Sequence, residues 1–337
     1  MNIAVIGAGT IGSILAGMLA RAGAYVTMIG RPRQISRLKA KGLLIQSSQG
    51  KHSYHIPART SLQNEHDLVI FAIPMHDLEQ AYQDNYPYLE AGLMMTVQNG
   101  VQGANLLSCH FEPDNIVESA VFFEAEKAGP ARFTLRRPGA VLIGKPFCPN
   151  DEQVSQFADL LRPCLDVHIT SHIMAVKWLK LLSDYIYCLP AITGLPLGRL
   201  YADLNMRRLF ISLLREALQI VQTAGIPLAA LPDLNVEELV QFGNLPYQSA
   251  VIIMPDIFLR NRDLDSFGYL FDQIMHRRQS EVDFINGEVM QVAHSLRMAA
   301  PLNRLFVNVA HDIEACGRCM SPQTVLNTFS RLAHFDQ

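Results

Sequence analysis

Residues 2–13, NIAVIGAGTIGS, restrict the fold of this chain more than any other stretch. The run Ile3–Ile6 is short, apolar and rich in β-branched residues, which is typical of a buried strand, and helix formers follow the last glycine. Between the two lie Gly7, Gly9 and Gly12 at the spacing GxGxxG. In this context the spacing favours a turn that holds a dinucleotide at the N-terminus of a helix. A purely structural turn is the alternative.

Each glycine has a role if the turn binds a dinucleotide. Gly7 makes the tight turn, Gly9 lets the backbone approach the pyrophosphate, and Gly12 lets the helix pack closely on the sheet. The predicted cofactor contacts are Gly7, Ala8, Gly9, Thr10, Ile11 and Gly12.

Length, composition and charge exclude several classes of protein. A chain of 337 residues is long for one core, so two domains are expected. The net charge of −3 gives no basic surface for nucleic acid, and no apolar run approaches the roughly 18 residues of a membrane span. No signal peptide precedes the first strand, and six scattered cysteines suit reduced thiols. We therefore expect a cytoplasmic protein that binds neither nucleic acid nor membrane.

The first half of the chain alternates strand-like and helix-like patterns, which predicts a Rossmann-like, doubly wound α/β sheet. The predicted strands are Ile3–Ile6, Ala24–Ile29, Asp67–Ile73, Met94–Val97, Asn115–Val121 and Val167–Ile169. Two further runs, Arg132–Leu135 and Ala140–Ile143, are predicted to form a hairpin at the edge of the sheet.

Alternation ends near residue 170, and the second half is predicted to be an all-α domain. The helical patterns cover residues 171–189, 203–225, 234–244, 266–296 and 302–315. The expected organisation is a nucleotide-binding domain at 1–169, followed by a helical substrate and dimerisation domain at 170–337.

The end of the second strand bears on the choice of dinucleotide. Sites that prefer NAD usually place an acid there to bind the ribose 2′-hydroxyl, whereas NADP sites lack the acid and supply an arginine. Here the stretch reads VTMIGRPRQ, without an acid between Val26 and Gln34 and with Arg31 and Arg33 in place. A guanidinium can bind a 2′-phosphate bidentately, so we expect NADP(H), with Arg31 as the main contact. The alternative is a pair of solvated loop arginines.

Four motifs together resemble one family, the ketopantoate reductases (2-dehydropantoate 2-reductases). They are GAGTIG at the N-terminus, QNGV at 98–101, WLKLL at 178–182 and EVDFING at 281–287. The resemblance implies a Rossmann domain followed by a helical domain that often mediates dimerisation. It also implies an NADPH-dependent oxidoreductase that converts 2-dehydropantoate to pantoate, in pantothenate biosynthesis, or reduces a closely related 2-oxo acid.

Three catalytic residues follow from the resemblance. Lys180 matches the family's catalytic lysine, Glu281 its active-site glutamate, and Asn99 the asparagine beside the nicotinamide. Hydride transfer to a ketone leaves charge on oxygen, which a lysine can stabilise and protonate. A carboxylate such as Glu281 can hold that ammonium in place.

Each of these residues also has an ordinary structural interpretation. Lys177 and Lys180 share a helix face, so one of them could be a surface lysine. Glu281 lies in the charged run HRRQSEVDF, which is compatible with a solvated helix face, and Asn99-Gly100 is a common turn dipeptide.

The chain departs from the family pattern around the expected substrate. Asp184 and Cys188 replace asparagines, Ile73-Pro74 replaces a strand end that carries a lysine, and Tyr269 replaces a serine. At i+4, Asp184 is expected to pair with Lys180 and to repel a substrate carboxylate. We therefore expect Asp184 and Tyr269 to contact the substrate, for which 2-dehydropantoate or a close relative remains the first candidate.

Two other functions remain open on the sequence. One is an NADP-dependent dehydrogenase of a different hydroxy or amino acid, and the other is a non-catalytic NADP-binding sensor. A homodimer is expected from the resemblance. The Cys316-x-x-Cys319 pair lacks a second pair or a βαβ context, so no metal site is predicted.

Overall fold

The computed structural model of this protein describes residues 1–232, 234–275 and 279–332. Contacts divide the chain into two compact units, the first formed by Met1–Gln98 and Gln102–Met174 and the second by Asn99–Val101 and Ala175–Gln337. The first unit extends past residue 169 to Met174. Ile173 lies against Gly144, since a Cβ added to this glycine would be 3.3 Å from Cβ of Ile173. The assignment of residues 1–169 to cofactor binding and of residues 170–337 to substrate binding and dimerisation stays a prediction.

The first unit is built on an eight-stranded sheet. Its strands are β1 (Asn2–Ile6), β2 (Tyr25–Ile29), β5 (Ala58–Arg59), β6 (Leu68–Phe71), β7 (Leu93–Thr96), β8 (Ile116–Val121), β11 (Ala140–Gly144) and β12 (Asp166–Ile169). They lie in the order β12-β11-β8-β7-β6-β1-β2-β5, with the β8–β11 pair antiparallel and the other neighbours parallel. The predicted doubly wound sheet is confirmed.

Strand order reverses between β1 and β6, which are neighbours in the sheet although four strands separate them in the chain. In open α/β sheets ligands bind beyond the carboxyl ends of the strands at such a reversal. Gly7 follows β1 and Ala72 follows β6. The glycine-rich turn therefore lies at the position where this fold places its ligands.

A second, four-stranded sheet, absent from the sequence prediction, belongs to the same unit. It consists of β3 (Leu43–Ser47), β4 (Gly50–Tyr54), β9 (Glu124–Gly129) and β10 (Arg132–Arg137), in the order β4-β3-β10-β9. The predicted hairpin of β10 with β11 is wrong. β10 pairs with β3 and β9, whereas β11 joins the larger sheet between β8 and β12. Strands that are adjacent in sequence therefore separate into two sheets.

Helices cover the sheets of the first unit. They are α1 (Thr10–Arg21), α2 (Pro32–Lys41), α3 (Leu78–Asn85), α4 (Gly103–Leu107) and α5 (Glu152–Leu161), with α6 (Ile173–Asp184) starting there. Gly17 of α1 packs against the small sheet, since a Cβ there would lie 2.2 Å from Cδ1 of Ile45.

The second unit is helical. Its helices are the remainder of α6, then α7 (Cys188–Thr193), α8 (Leu197–Leu200), α9 (Leu204–Thr223), α10 (Val236–Asn244), α11 (Tyr247–Phe258), α12 (Tyr269–Met275), α13 (Asn286–Ser295), α14 (Pro301–Cys316) and α15 (Pro322–Phe329). No strand occurs in 175–232, 234–275 or 279–332, so the predicted all-α second half is confirmed for these ranges.

One predicted helix, 266–296, is wrong as a continuous element. Gly268 has a φ of +78°, α12 begins after it, and Ser280 starts a separate 3-10 turn at Glu281–Phe284. His276, Arg277 and Arg278 lie outside the described residues. The helical periodicity was real, but turns divide it into shorter pieces.

No helix in the described part of the chain is both long enough and apolar enough to cross a membrane.

Candidate active site

Backbone packing within the turn itself requires two glycines of the first motif. Gly7 has a φ of +121°, and a Cβ there would lie 2.2 Å from the carbonyl oxygen of Ala72. A Cβ on Gly12 would lie 2.0 Å from the carbonyl oxygen of Gly7. These glycines therefore allow β1, β6 and α1 to approach closely, as the sequence interpretation predicts.

Gly9 is different, because the protein itself does not require a glycine there. It is the N-cap of α1 with a φ of −84°, and a Cβ would meet nothing within 4 Å. No side chain caps the helix and its first turn holds no acidic residue. Helix N-termini leave N–H groups for an anion, and the open space before Gly9 lets a phosphate approach them. The turn therefore fits a dinucleotide pyrophosphate.

Arg31 lies beside this turn. Its backbone N–H donates to Oε1 of Gln34 at 3.1 Å, and Nε2 of Gln34 donates to the carbonyl oxygen of Ala8 at 3.1 Å. The Arg31 side chain is 74% exposed and donates to Oδ2 of Asp77 at 2.9 Å. Arg33 is exposed. An acid that the sequence interpretation of the second strand did not foresee therefore faces Arg31.

Lys180 is held in the second unit by two oxygens. Its Nζ donates to Oδ1 of Asn99 at 2.9 Å and to Oδ2 of Asp184 at 2.7 Å. The side chains of Lys180 and Asp184 are 13% and 10% exposed. The predicted i+4 pair is thus present. Lys177 is itself buried, so the interpretation of either residue as a surface lysine is wrong.

A tight turn carries Asn99 to the lysine. Gly100 has a φ of +79°, and a Cβ there would lie 2.5 Å from the carbonyl oxygen of Phe284. The turn interpretation of Asn99-Gly100 and the functional one are therefore compatible, since the turn presents Asn99 to Lys180. Any contact of Asn99 with a nicotinamide stays a prediction.

Glu281 is buried, so its interpretation as part of a solvated helix face is wrong. Its backbone N–H donates to Oε1 of Gln273 at 2.9 Å, and Nε2 of Gln273 donates back to Oε2 of Glu281 at 3.1 Å. Gln273 thus fixes both the backbone and the carboxylate of Glu281. Sequence reasoning missed Gln273, because none of the four motifs includes it.

Tyr269 lies close to both carboxylates. Burial raises the pKa of its phenol well above the usual value, and the charges of Asp184 and Glu281 add to this effect. Its hydroxyl oxygen is buried and has no hydrogen-bond partner among the described residues. Since a buried hydroxyl without a partner is costly, this group is suited to bind a ligand. The structure thus places Asp184, Tyr269 and Glu281 near one another.

Cys188 is part of a buried polar network. Burial raises the pKa of its thiol, which stays neutral and donates to Oδ1 of Asn286 at 3.6 Å. Asn286 donates to Asn303 at 3.0 Å, and so does the Tyr185 hydroxyl at 2.6 Å. The asparagine of EVDFING therefore supports the packing of α7, α13 and α14.

Arg262 is a second residue that sequence reasoning missed. Its guanidinium donates to Oγ of Ser183 at 2.7 Å and to the Tyr187 hydroxyl at 2.9 Å. Tyr187 in turn packs edge-to-face on Tyr269, with ring centroids 6.3 Å apart. Arg262 thus holds Tyr187 in contact with Tyr269, close to Asp184.

The remaining candidates contribute nothing to these sites. Cys316 and Cys319 are not joined in a disulfide, and no cluster of three or more metal-binding side chains occurs in 1–232, 234–275 or 279–332. A cavity of about 750 Å³ in the first unit is lined by residues such as Arg21, Cys164 and Val167 and includes none of the predicted site residues.

Comparison with known proteins identifies the family. The model of the ketopantoate reductase PanE/ApbA family matches residues 3–146, and the model of its C-terminal domain matches residues 172–314. A 2-dehydropantoate 2-reductase from Pyrococcus horikoshii is 24% identical over 324 residues, covering 94% of this chain and 99% of the relative.

Solved structures share the fold. A PanE/ApbA family ketopantoate reductase from Ralstonia eutropha has a TM-score of 0.79 at 24% identity and covers 94% of this chain and 99% of its own. A D-mandelate dehydrogenase with NADH and anilino(oxo)acetate has a TM-score of 0.80 at 19% identity, with the same coverage. The two matching family models together span most of the sequence, and the chain belongs to the ketopantoate reductase PanE/ApbA family of oxidoreductases.

Proposed function

We propose that this protein uses NADPH to reduce the ketone of a small 2-oxo acid, with 2-dehydropantoate as the first substrate to test. The observation that carries the proposal is the ammonium of Lys180, held at 2.9 Å from Asn99 and 2.7 Å from Asp184. A partly buried, oriented lysine in a member of this family suits a proton donor for a carbonyl oxygen.

The chemistry of the reaction explains why a lysine is needed. Reduction of a ketone adds hydride to carbon and a proton to oxygen, and negative charge grows on that oxygen before the proton arrives. A reduced nicotinamide supplies the hydride when bound. Lys180 stabilises the charge and gives up its proton, and the carboxylate of Asp184 keeps its ammonium oriented.

The glycine-rich turn supports a nicotinamide dinucleotide. The open space before Gly9 and the uncapped start of α1 suit the pyrophosphate that NADH and NADPH share. Arg31 is the group in this region that suits the 2′-phosphate of NADPH, because it is exposed and anchored next to Ala8 through Gln34. The structural neighbour that contains NADH supports the cofactor class without deciding between the two.

The residues around Lys180 favour a second candidate, a 2-oxo acid with a different substituent or a neutral ketone. Asp184 adds a negative charge beside the lysine, and the Tyr269 hydroxyl is buried without a partner in the described part of the chain. A substrate bound beside Lys180 is expected to give Tyr269 a hydrogen bond and to keep its own carboxylate away from Asp184.

A panel of ketones tests the proposal directly. NADPH consumption is followed with 2-dehydropantoate, 2-oxoisovalerate, phenylglyoxylate and a neutral ketone such as acetoin. Turnover of any 2-oxo acid supports the reductase, and the ranking identifies the substituent. Cofactor binding without turnover across the panel would instead support the sensor alternative.

Asp184→Asn separates the two candidate substrate classes. If the substrate is a 2-oxo acid that already avoids Asp184, kcat/KM is expected to stay similar or to rise, because the amide oxygen of the asparagine can still accept the hydrogen bond that orients Lys180. If Asp184 excludes 2-dehydropantoate, its turnover is negligible in the native protein and appears in the variant. Loss of native 2-dehydropantoate turnover on this substitution would contradict both expectations.

We further propose a homodimer located in the cytoplasm. Ile252 and Ile253 of α11 are exposed, at 75% and 40%, and would be covered in a dimer of the helical units. Analytical ultracentrifugation at micromolar concentration tests this, and a strictly monomeric mass would contradict it.

A further inference from the structure

An ion pair between Arg31 and Asp77 joins the loop that follows β2 to the loop that follows β6, at the carboxyl ends of these two strands of the large sheet. Arg31 follows β2 and Asp77 lies in the 3-10 turn after β6, and their side chains meet at 2.9 Å. Asp77 therefore brings a negative charge to the residue that we assign to the 2′-phosphate.

Asp77 is not simply a helix cap. It occupies the N-cap position of α3, where an aspartate commonly accepts a hydrogen bond from the backbone. In this protein its side chain makes no such cap hydrogen bond and contacts Arg31 instead. The carboxylate is thus directed toward the arginine rather than toward its own helix.

The neighbouring histidine points to a polar ligand at the same loop. Nε2 of His76 lies 3.9 Å from Oδ1 of Asp77. Its other ring nitrogen, Nδ1, is buried and has no hydrogen-bond partner among the residues described. A bound polar group could donate a hydrogen bond to this nitrogen or accept one from it, according to the tautomer of the ring.

A carboxylate in this position affects the two cofactors differently. A 2′-phosphate must share or displace the Nη2 contact that Arg31 makes with Asp77, and it is repelled by the nearby carboxylate. A 2′-hydroxyl is not repelled, and it can donate a hydrogen bond to a carboxylate, which is the usual role of the acid in NAD sites. In this protein the acid comes from the loop after β6 instead of from the end of β2.

We propose that Asp77 sets the cofactor preference of this protein by competing with the 2′-phosphate of NADPH for Arg31. NADPH is then favoured over NADH less strongly than Arg31 alone would dictate. This inference rests on the proposed function, because it takes a nicotinamide dinucleotide as the ligand of the first unit.

The test is equilibrium binding of NADPH and NADH to the full-length protein by isothermal titration calorimetry, which does not depend on turnover. Asp77→Asn removes the charge and keeps the shape. We expect it to tighten NADPH binding about 3- to 10-fold, as removal of an exposed competing charge permits, and not to tighten NADH binding.

Two further variants serve as controls. Glu79→Gln removes a charge two residues away, where the exposed Glu79 contacts His110 rather than Arg31, and it is expected to leave the NADPH to NADH ratio unchanged. In an Arg31→Ala background the gain from Asp77→Asn is expected to shrink, because the competition for the guanidinium has been removed and only the direct repulsion of the 2′-phosphate remains.

The outcomes separate failure of this inference from failure of the cofactor assignment. An unchanged NADPH affinity in Asp77→Asn, or an equal gain in Glu79→Gln, overturns the role of Asp77 while leaving the reductase proposal intact. If Arg31→Ala leaves NADPH binding unchanged, the 2′-phosphate assignment fails and this inference fails with it. A native protein that binds neither nucleotide overturns both proposals.

Discussion

The glycine-rich turn of the first unit and the lysine site of the second are assembled in opposite ways. The turn lies within residues 7–12, where Gly7 packs closely on the backbone of Ala72, just after β6, and Gly12 packs on the carbonyl of Gly7. The lysine site gathers Asn99, Lys180, Tyr269 and Glu281 from separate segments of the chain. The turn therefore depends on one short stretch packed on a single neighbouring strand end, whereas the lysine site exists only once the second unit has folded.

This difference determines what each region tolerates. In the turn, a methyl group in the wrong place strains the backbone directly. Around Lys180 the backbone is ordinary helix, and the constraint lies in which side chains meet. Substitutions in the first region are expected to change stability or cofactor affinity, and those in the second to change turnover.

The largest effect is expected for Lys180→Ala. Lys180 is the proton donor that Asn99 and Asp184 orient, so its removal leaves the product oxygen without a positioned proton donor. We expect kcat to fall about 10²- to 10⁴-fold. NADPH affinity is expected to stay near its native value, whereas the unfolding midpoint is expected to fall, because Asp184 loses the partner of its largely buried carboxylate. The measurement is steady-state turnover of the best substrate from the ketone panel.

Lys127→Ala is the matched control for this variant, since Lys127 is exposed on β9. Its turnover is expected to be native. A Lys180→Ala protein that retains full turnover would end the comparison, because the second region would then have no role in catalysis.

Gly7→Ala should cost the most stability. The new Cβ would clash with the Ala72 carbonyl at 2.2 Å in a backbone with positive φ. We expect a loss of about 2–4 kcal/mol in the free energy of unfolding, measured by urea denaturation. Gly23→Ala provides the control, because Gly23 has a φ of +88° but open space around its Cβ position. Equal losses in both variants would show that the close approach to Ala72 does not matter.

Gly9→Ala is expected to separate binding from folding. Its Cβ would enter open space, so the free energy of unfolding should change by less than about 1 kcal/mol. Affinity for NADPH and NADH alike should fall about 10-fold, because the methyl group would occupy space that the shared pyrophosphate needs. Calorimetric titration of both nucleotides checks this. Native affinity in the variant would mean that the pyrophosphate does not approach Gly9.

The smallest effect concerns the pH dependence of the second unit. Burial alone would lower the pKa of His311, but its contacts with Asp283 at 3.1 Å and Glu314 at 3.2 Å outweigh this and raise the pKa. Because the folded pKa exceeds the unfolded one, the stabilisation is complete below the unfolded value and is lost as pH rises through the folded value.

For a half-exposed pair the stabilisation lost as the pH rises above the ordinary histidine pKa of 6.5 is expected to be below about 1 kcal/mol. His311→Gln should abolish this increment in urea denaturation, whereas His172→Gln, at an exposed position, should preserve it. A pH dependence that survives His311→Gln would show that the turn bearing Glu281 is not held by these contacts.

The sequence predicted those features that depend on neighbours along the chain. The large sheet, the glycine-rich turn and the i+4 pair of Lys180 with Asp184 follow from periodicity and spacing. The small sheet was not predicted, because β10 pairs with β3, which is distant in the sequence, and does not pair with β11, which follows it directly. Partner choice between strands is decided by tertiary packing, which periodicity does not contain.

The same limit applies to the candidate sites. Asp77 lies far from Arg31 in the sequence, so the absence of an acid near the end of β2 did not exclude one at the arginine. Gln273 and Arg262 likewise act through partners that no local motif includes. Resemblance to a family selected Lys180 and Glu281, and only folding showed which side chains surround them.

The short segment Asn99–Val101 determines which residues a fragment or chimera of the helical half must contain. It packs with the second unit although it is encoded within the first, and its asparagine accepts a hydrogen bond from Lys180. A fragment that starts at Ala175, or a chimera that exchanges only the C-terminal half, would carry the lysine without that acceptor. The turn of Gly100 against Phe284 would be lost with it. An exchange of the helical half of this protein must therefore include residues 99–101.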